Sequence, residues 1–193
     1  MPKSAKFCKK TVKSGRNTAK SHFYIILISG TPGTGKSTLA RFLARTLTFH
    51  SIDCRELIEK KHISSHFDRK RDCLVVDTDQ LNSALENEIS RLKALKTGKN
   101  RASGVIIDSH LSHFFPKEQA DLCIICTCAL PILKTRLEKR GYNRKKVREN
   151  LDSEIFSVCL EEARETGHNI LTIDTSSRAS LKKAALLVKK ELF

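Results

Sequence analysis

Gly30-Thr31-Pro32-Gly33-Thr34-Gly35-Lys36-Ser37 is the stretch that decides the fold. It follows a short apolar run, YIILI at residues 24–28, and it opens residues 36–47, where Leu39, Phe42, Leu43 and Leu47 recur at helical spacing. Strand, glycine-rich loop and helix form the setting in which G-x-x-x-x-G-K-[ST] wraps a phosphate chain. Phosphate oxygens need several convergent donors at short range, so the backbone must come close, and glycines at 30, 33 and 35 permit that approach. Backbone amides of the loop, including those of Thr34 and Gly35, and the helix N-terminus then face the anion. Lys36 is expected to reach the β- and γ-phosphates of ATP, and the Ser37 hydroxyl to coordinate Mg²⁺. A chance glycine-rich turn is the alternative, and the flanking pattern argues against it.

Outward from this loop the chain alternates strands and helices. Residues 74–76, 105–107, 122–126 and 170–173 read as further buried strands, and residues 55–61, 79–95, 131–140, 144–165 and 180–192 as helices. Five strands with helical crossovers predict an α/β fold of the P-loop NTPase type, three layers around a central five-stranded parallel sheet. Residues 96–103 read as an exposed loop, and Tyr142 and Asn143, just after Gly141, as a hinge between helices.

Val105-Ile106-Ile107-Asp108 is an apolar strand ending in a carboxylate, the form of a Walker B element. Ligands in open parallel sheets sit at the carboxyl ends of strands, so Asp108 is expected beside the phosphates, holding Mg²⁺ through a water. The plainer alternative is an aspartate capping the next turn. His110, two residues on, has the chemistry to orient a water or a substrate hydroxyl toward the γ-phosphate; a structural imidazole is the competing reading.

Arg136, Arg140, Arg144, Lys145, Lys146 and Arg148 cluster around the Gly141-Tyr142 hinge. Positive side chains that close over a transferring phosphoryl group stabilise its charge and exclude water. Arg136 and Arg144 are therefore expected in a small mobile lid, with Arg140 and Arg144 approaching ATP on closure. Against this stands a solvated basic face paired with Glu138, Glu149 and Asp152.

With 193 residues, 39% hydrophobic and 30% charged, the chain suits one soluble domain, and its longest apolar run is far too short to span a bilayer. The formal net charge is +15, and residues 1–22 supply seven basic and no acidic side chains of it. That segment reads as a basic tail before a domain at residues 23–193. Its charge favours a polyanion such as RNA, or serves only solubility. It lacks the apolar stretch of a secretory signal, which argues against export. Seven cysteines form an odd, scattered set, which points to reduced thiols and a cytoplasmic setting, or a nuclear one in a eukaryote. Cys123-Ile-Ile-Cys126 contains C-x-x-C, but on a strand these two side chains point to opposite faces and cannot share a tetrahedral site.

GTPGTGKSTL, RDCLVVDTDQL, VIIDSHLSHFFP and RLEKRGYNRKKVRENLDSEIFSVCLEEARETG together cover most of residues 23–168, and in them the chain resembles the adenylate kinase isoenzyme 6 family, as an archaeal-like member. The resemblance implies an ATP site at Gly33, Gly35, Lys36, Ser37, Thr38 and Arg140, a monophosphate-binding segment at about 53–78 and a lid at about 139–149. It implies Asp108 and His110 as the marker pair of the Walker B motif. It also implies ATP and AMP as substrates, ATPase activity, and a link to small ribosomal subunit maturation through a platform ribosomal protein and rRNA. Cys126-Thr127-Cys128-Ala129 departs from the Leu-Arg-Thr-Asp usual in the family, so an arginine and an acid are missing beside the site. Three readings follow: a kinase converting ATP and AMP to two ADP, an assembly factor whose slow ATP hydrolysis acts as a timer, and a kinase for another small acceptor.

Overall fold

The structure is a computed structural model that describes residues 22–69, 73–95 and 103–193. The expected tail at 1–22, but for His22, and the expected loop at 96–103, but for Ser103, lie outside the described residues.

Five strands form one parallel sheet: β1 (Tyr24–Ser29), β2 (His50–Asp53), β5 (Gly104–Asp108), β6 (Leu122–Thr127) and β7 (Ile170–Asp174). They lie in the order β2-β5-β1-β6-β7, with β1 at the centre. β1 reads as an unbroken apolar run because both of its faces are covered. Ile25 and Leu27 point into one cluster with Val105, Ile107, Cys123 and Ile125, while Ile26 and Ile28 point into another with Ile106, Ile124 and Cys126. Cys123 and Cys126 thus lie on opposite sides of the sheet, as period two requires.

Helix α1 (Lys36–Leu47) and helix α7 (Ala179–Leu192) cover one face. Helices α2 (Cys54–Lys61), α3 (Thr78–Ala94) and α6 (Val158–Glu165) cover the other. Helices α4 (Leu130–Lys139) and α5 (Arg144–Ile155) pack on each other through Leu133, Leu137 and Val147. The three-layer α/β architecture is the one the sequence predicts.

Two elements differ from the sequence reading. The run at 74–76 does not join the main sheet: β4 (Cys73–Val76) pairs antiparallel with β3 (Ser64–Asp68) in a separate two-stranded sheet. The fifth parallel strand is instead β2, His50-Ser51-Ile52-Asp53, which gives no apolar signal because it is an edge strand with only Ile52 buried. The predicted helix at 144–165 is also two helices. Ser157 adopts φ 52°, a left-handed conformation that ends α5 and starts α6 at an angle.

Helix starts are fixed locally by carboxylates and amides. Asp53 accepts from Arg55 N at 2.9 Å to cap α2, Asp77 accepts from Asp79 N and Gln80 N to cap α3, and Asn143 accepts from Lys146 N to cap α5. Among the described residues no helix is long and apolar enough to cross a membrane.

Candidate nucleotide site

The loop between β1 and α1 turns at Gly30, φ 133°, and Gly33, φ 93°, conformations that a side chain would strain. At Gly30 a Cβ would overlap the Cys126 carbonyl of the neighbouring strand, and at Gly33 it would lie 2.9 Å from Leu133 Cδ1. The loop is therefore pressed between β6 and α4, and its shape is set before any ligand arrives. Thr34 Oγ1 donates to the Thr31 carbonyl at 2.8 Å, closing the turn from inside.

Lys36 points back across the loop, donating to the carbonyls of Gly30 at 2.6 Å and Thr31 at 3.0 Å. Burial pushes its pKa down, the Asp108 carboxylate opposes that, and the Arg140 charge adds to it. An ammonium held by two neutral carbonyls, in reach of one carboxylate, is positioned to exchange these partners for phosphate oxygens.

Asp108 ends β5 and is 7% exposed. Burial raises its pKa, while the hydrogen-bonded Ser37 hydroxyl and the Lys36 charge hold it down. The structure thus brings Lys36, Ser37 and Asp108 together, as the two motifs predict. A second carboxylate stands beside them. Asp53 pairs in register with Asp108 across β2 and β5, and its charge raises Asp108 further. A serine hydroxyl and two neighbouring carboxylates at the edge of a phosphate loop form an all-oxygen donor set that suits Mg²⁺.

His110 follows on the loop after β5. Partial burial pushes its pKa down to about 4, and the Lys36 and Arg55 cations push the same way. The residue lies at the exposed rim of the site, and its imidazole is neutral at neutral pH. The backbone beneath it is stitched to the end of β1. Ser29 Oγ lies 3.2 Å from the His110 carbonyl and 2.7 Å from His113 Nδ1, and Ser112 Oγ donates to the Ile28 carbonyl at 3.0 Å.

The arginines divide into two groups. Arg136 on α4 is committed to the scaffold: Nη1 donates to Thr34 O at 3.2 Å and Nη2 to Thr175 O at 3.0 Å. It ties the phosphate loop to the loop after β7, where the Thr175 hydroxyl also bonds the Thr34 carbonyl. This is an anchoring position, although a lid is where the sequence spacing predicts it. Arg140 caps α4, exposed, with its charge felt at Lys36, and Arg144 begins α5, also exposed. Arg148 pairs with Asp152 at 2.9 Å and Lys145 with Glu149 at 3.9 Å, so that part of the basic cluster is a solvated helical face.

Residues 26–157 match the family described as AAA domain. A Dictyostelium discoideum protein named adenylate kinase isoenzyme 6 homolog is 33% identical over 152 residues, covering 79% of this chain and 81% of that one. The Caenorhabditis elegans protein of the same name is 33% identical over 141 residues, covering 73% and 72%. The chain belongs to the adenylate kinase isoenzyme 6 family.

As a member of the adenylate kinase isoenzyme 6 family it is a phosphotransferase of the kinase type. Shikimate kinase of Acinetobacter baumannii superposes with a TM-score of 0.52 over 90% of this chain and 97% of that one. At 16% identity this likeness shows the shared fold. Cys128 N is held by Glu154 Oε1 at 2.8 Å, and Cys128 Sγ lies 3.3 Å from Arg136 Nη1.

Sequence reasoning did not single out Asp53, Arg55 or Thr175. Asp53 sits on the strand that gives no apolar signal, Arg55 is brought to His110 only by the packing of α2, and Thr175 follows the last strand, far along the chain from the loop it supports.

Proposed function

We propose that the protein transfers the terminal phosphoryl group of ATP to AMP, giving two ADP. The observation that carries this reading is the convergence of Lys36, Ser37 and Asp108 on one side of a phosphate loop with a neutral His110 at its rim. An AMP phosphate oxygen forms the new bond to the γ-phosphorus as the bond to the β–γ bridging oxygen breaks, and ADP leaves with that oxygen. The loop amides, including those of Gly33, Thr34, Gly35 and Thr38, cradle the β- and γ-phosphates. Lys36 leaves its two carbonyls for them and meets the charge that spreads over the moving group. Magnesium, held by Ser37 and through a water by Asp108, supplies charge neutralisation between the two phosphates when bound.

Arg140, from the rim of α4, closes over the γ-phosphate with the lid at about 139–149, and Arg144 accompanies it. The segment at about 53–78 takes the monophosphate, with Arg55 at the start of α2 facing the region of His110. His110 orients the attacking oxygen through its neutral ring.

A second reading is slow ATP hydrolysis by an assembly factor for the small ribosomal subunit, working with a platform protein and rRNA. The net charge of +15 and the missing arginine after β6 favour it. One assay separates the two. With ATP and Mg²⁺, ADP is expected to form faster on adding AMP, with AMP consumed. Release of inorganic phosphate at a rate indifferent to AMP overturns the transferase reading.

A further inference from the structure

Behind the phosphate loop, on the face of the sheet away from α1, lies a group of side chains that phosphoryl transfer does not use. His113 sits in the short turn Ser112–Phe114 and is 1% exposed. Cys159 and Glu162 project from α6, three residues apart and hence on one face of that helix. One ligand-type atom from each, an imidazole nitrogen, a thiol sulfur and a carboxylate oxygen, lie within 4.8 Å of one another.

His113 is held at both ring nitrogens: Nδ1 lies 2.7 Å from Ser29 Oγ and Nε2 lies 3.0 Å from Glu162 Oε2. Ser29 Oγ also lies 3.2 Å from the His110 carbonyl. With the ring proton on Nδ1 and donated to Ser29 Oγ, Nε2 presents a lone pair beside the Glu162 carboxylate and the Cys159 sulfur. In that tautomer a thiophilic divalent cation uses all three groups.

We infer that His113, Cys159 and Glu162 form a binding site for a divalent cation of the zinc class, with the fourth position left to water. The donor set suits it: one nitrogen, one sulfur and one oxygen with an open position is a zinc pattern, whereas magnesium takes oxygen donors alone. A tetrahedral ion holds its ligand atoms about 3.3–3.8 Å apart, so small side-chain rotations of Cys159 and Glu162 close the present spacing. Ser29 serves as the outer partner that fixes a metal-bound imidazole, as such sites require. Entry is open, because the Glu162 side chain is 38% exposed. An ion here ties α6 to the end of β1, immediately before Gly30, and so links the helix that continues from the lid to the base of the phosphate loop.

The full chain, stripped with a chelator and titrated with zinc chloride against a chromophoric competitor, is expected to take up one tight equivalent. Cys159→Ala is expected to lose that equivalent, and Ser29→Ala to weaken it by about 10–100-fold. Cys8→Ala is expected to keep it. Cobalt in place of zinc is expected to give a thiolate charge-transfer absorption in the parent that vanishes in Cys159→Ala. Zinc uptake by the parent no tighter than that of Cys159→Ala, with both showing the same circular dichroism, overturns the site and leaves a neutral His113 hydrogen-bonded to Glu162. None of these readouts depends on AMP phosphorylation, so the site and the kinase reading stand or fall separately.

Discussion

Asp53 and Asp108 stand side by side in register at the carboxyl ends of adjacent parallel strands, and the Asp53 charge is felt at Asp108. One is the expected Walker B carboxylate, and the other comes from a strand with almost no apolar content. The pair gives the site two carboxylates where one is expected from sequence, and the Asp53 charge adds to burial in raising the Asp108 pKa.

This pairing makes the two aspartates separable. Asp108→Asn is expected to raise the Mg²⁺ concentration needed for half-maximal activity by about 10–100-fold, the usual effect of losing an outer-shell partner. Asp53→Asn keeps a good N-cap for α2, so its unfolding free energy from urea curves is expected to change by less than about 0.5 kcal/mol. Its Mg²⁺ requirement is expected to rise less than that of Asp108→Asn. Magnesium titrations of the steady-state rate, beside urea unfolding curves, check both.

Lys36→Ala removes the ammonium proposed to meet the phosphates and leaves the Gly30 and Thr31 carbonyls without this donor. Loss of one group that stabilises transition-state charge is expected to lower kcat by at least about 100-fold. Rapid-quench measurement of ADP formation at saturating ATP checks this, and a rate within a few fold of the parent contradicts the assignment of Lys36.

The anchoring role of Arg136 predicts a different outcome from that of a lid residue. Arg136→Ala frees the Thr34 and Thr175 carbonyls, and the lost charge-assisted bonds are expected to cost about 1.5–3 kcal/mol of stability. Arg136→Lys is expected to recover little of it, because an ammonium does not span both carbonyls in the plane of a guanidinium. Urea denaturation of the nucleotide-free protein is the direct measurement, since a lid residue would leave that stability untouched.

Acid is expected to destabilise the protein through His113. Burial pushes this imidazole down to about 4, with the His110 and His168 charges adding to the effect. Its folded pKa lies below the unfolded value of about 6.5, so the unfolded chain binds the proton first. The contribution to stability is whole above pH 6.5, falls as pH drops through that window, and is gone below about 4. For a residue buried this deeply the loss is about 3 kcal/mol. Burial raises the Glu162 and Asp108 pKa values, which works in the opposite sense over part of the same range. Urea unfolding of metal-free protein at pH 7, 5.5 and 4, in the parent and in His113→Asn, isolates the imidazole: the variant is expected to show the shallower slope.

Much of the fold is written in local patterns. β1 and β6 carry apolar residues on both faces because helices cover both, so each reads as an unbroken run, and GTPGTGKS between β1 and α1 is a complete local instruction for a phosphate loop. Lys36, Ser37 and Asp108 were legible for that reason. Strand β2 was not, since an edge strand with one buried side chain has no period to detect, and the apolar run at 74–76 resembles a sheet strand although it packs in a hairpin.

The sequence by itself determined the loop chemistry, the parallel α/β class and the family, because each rests on residues adjacent in the chain or repeated at a fixed period. Only the tertiary structure decided that Asp53 joins Asp108, that Arg136 anchors rather than closes, and that His113 meets Cys159 and Glu162. These relationships join residues 46 to 102 positions apart, and no local propensity encodes which distant side chains a parallel sheet and its crossover helices bring to the same few ångströms.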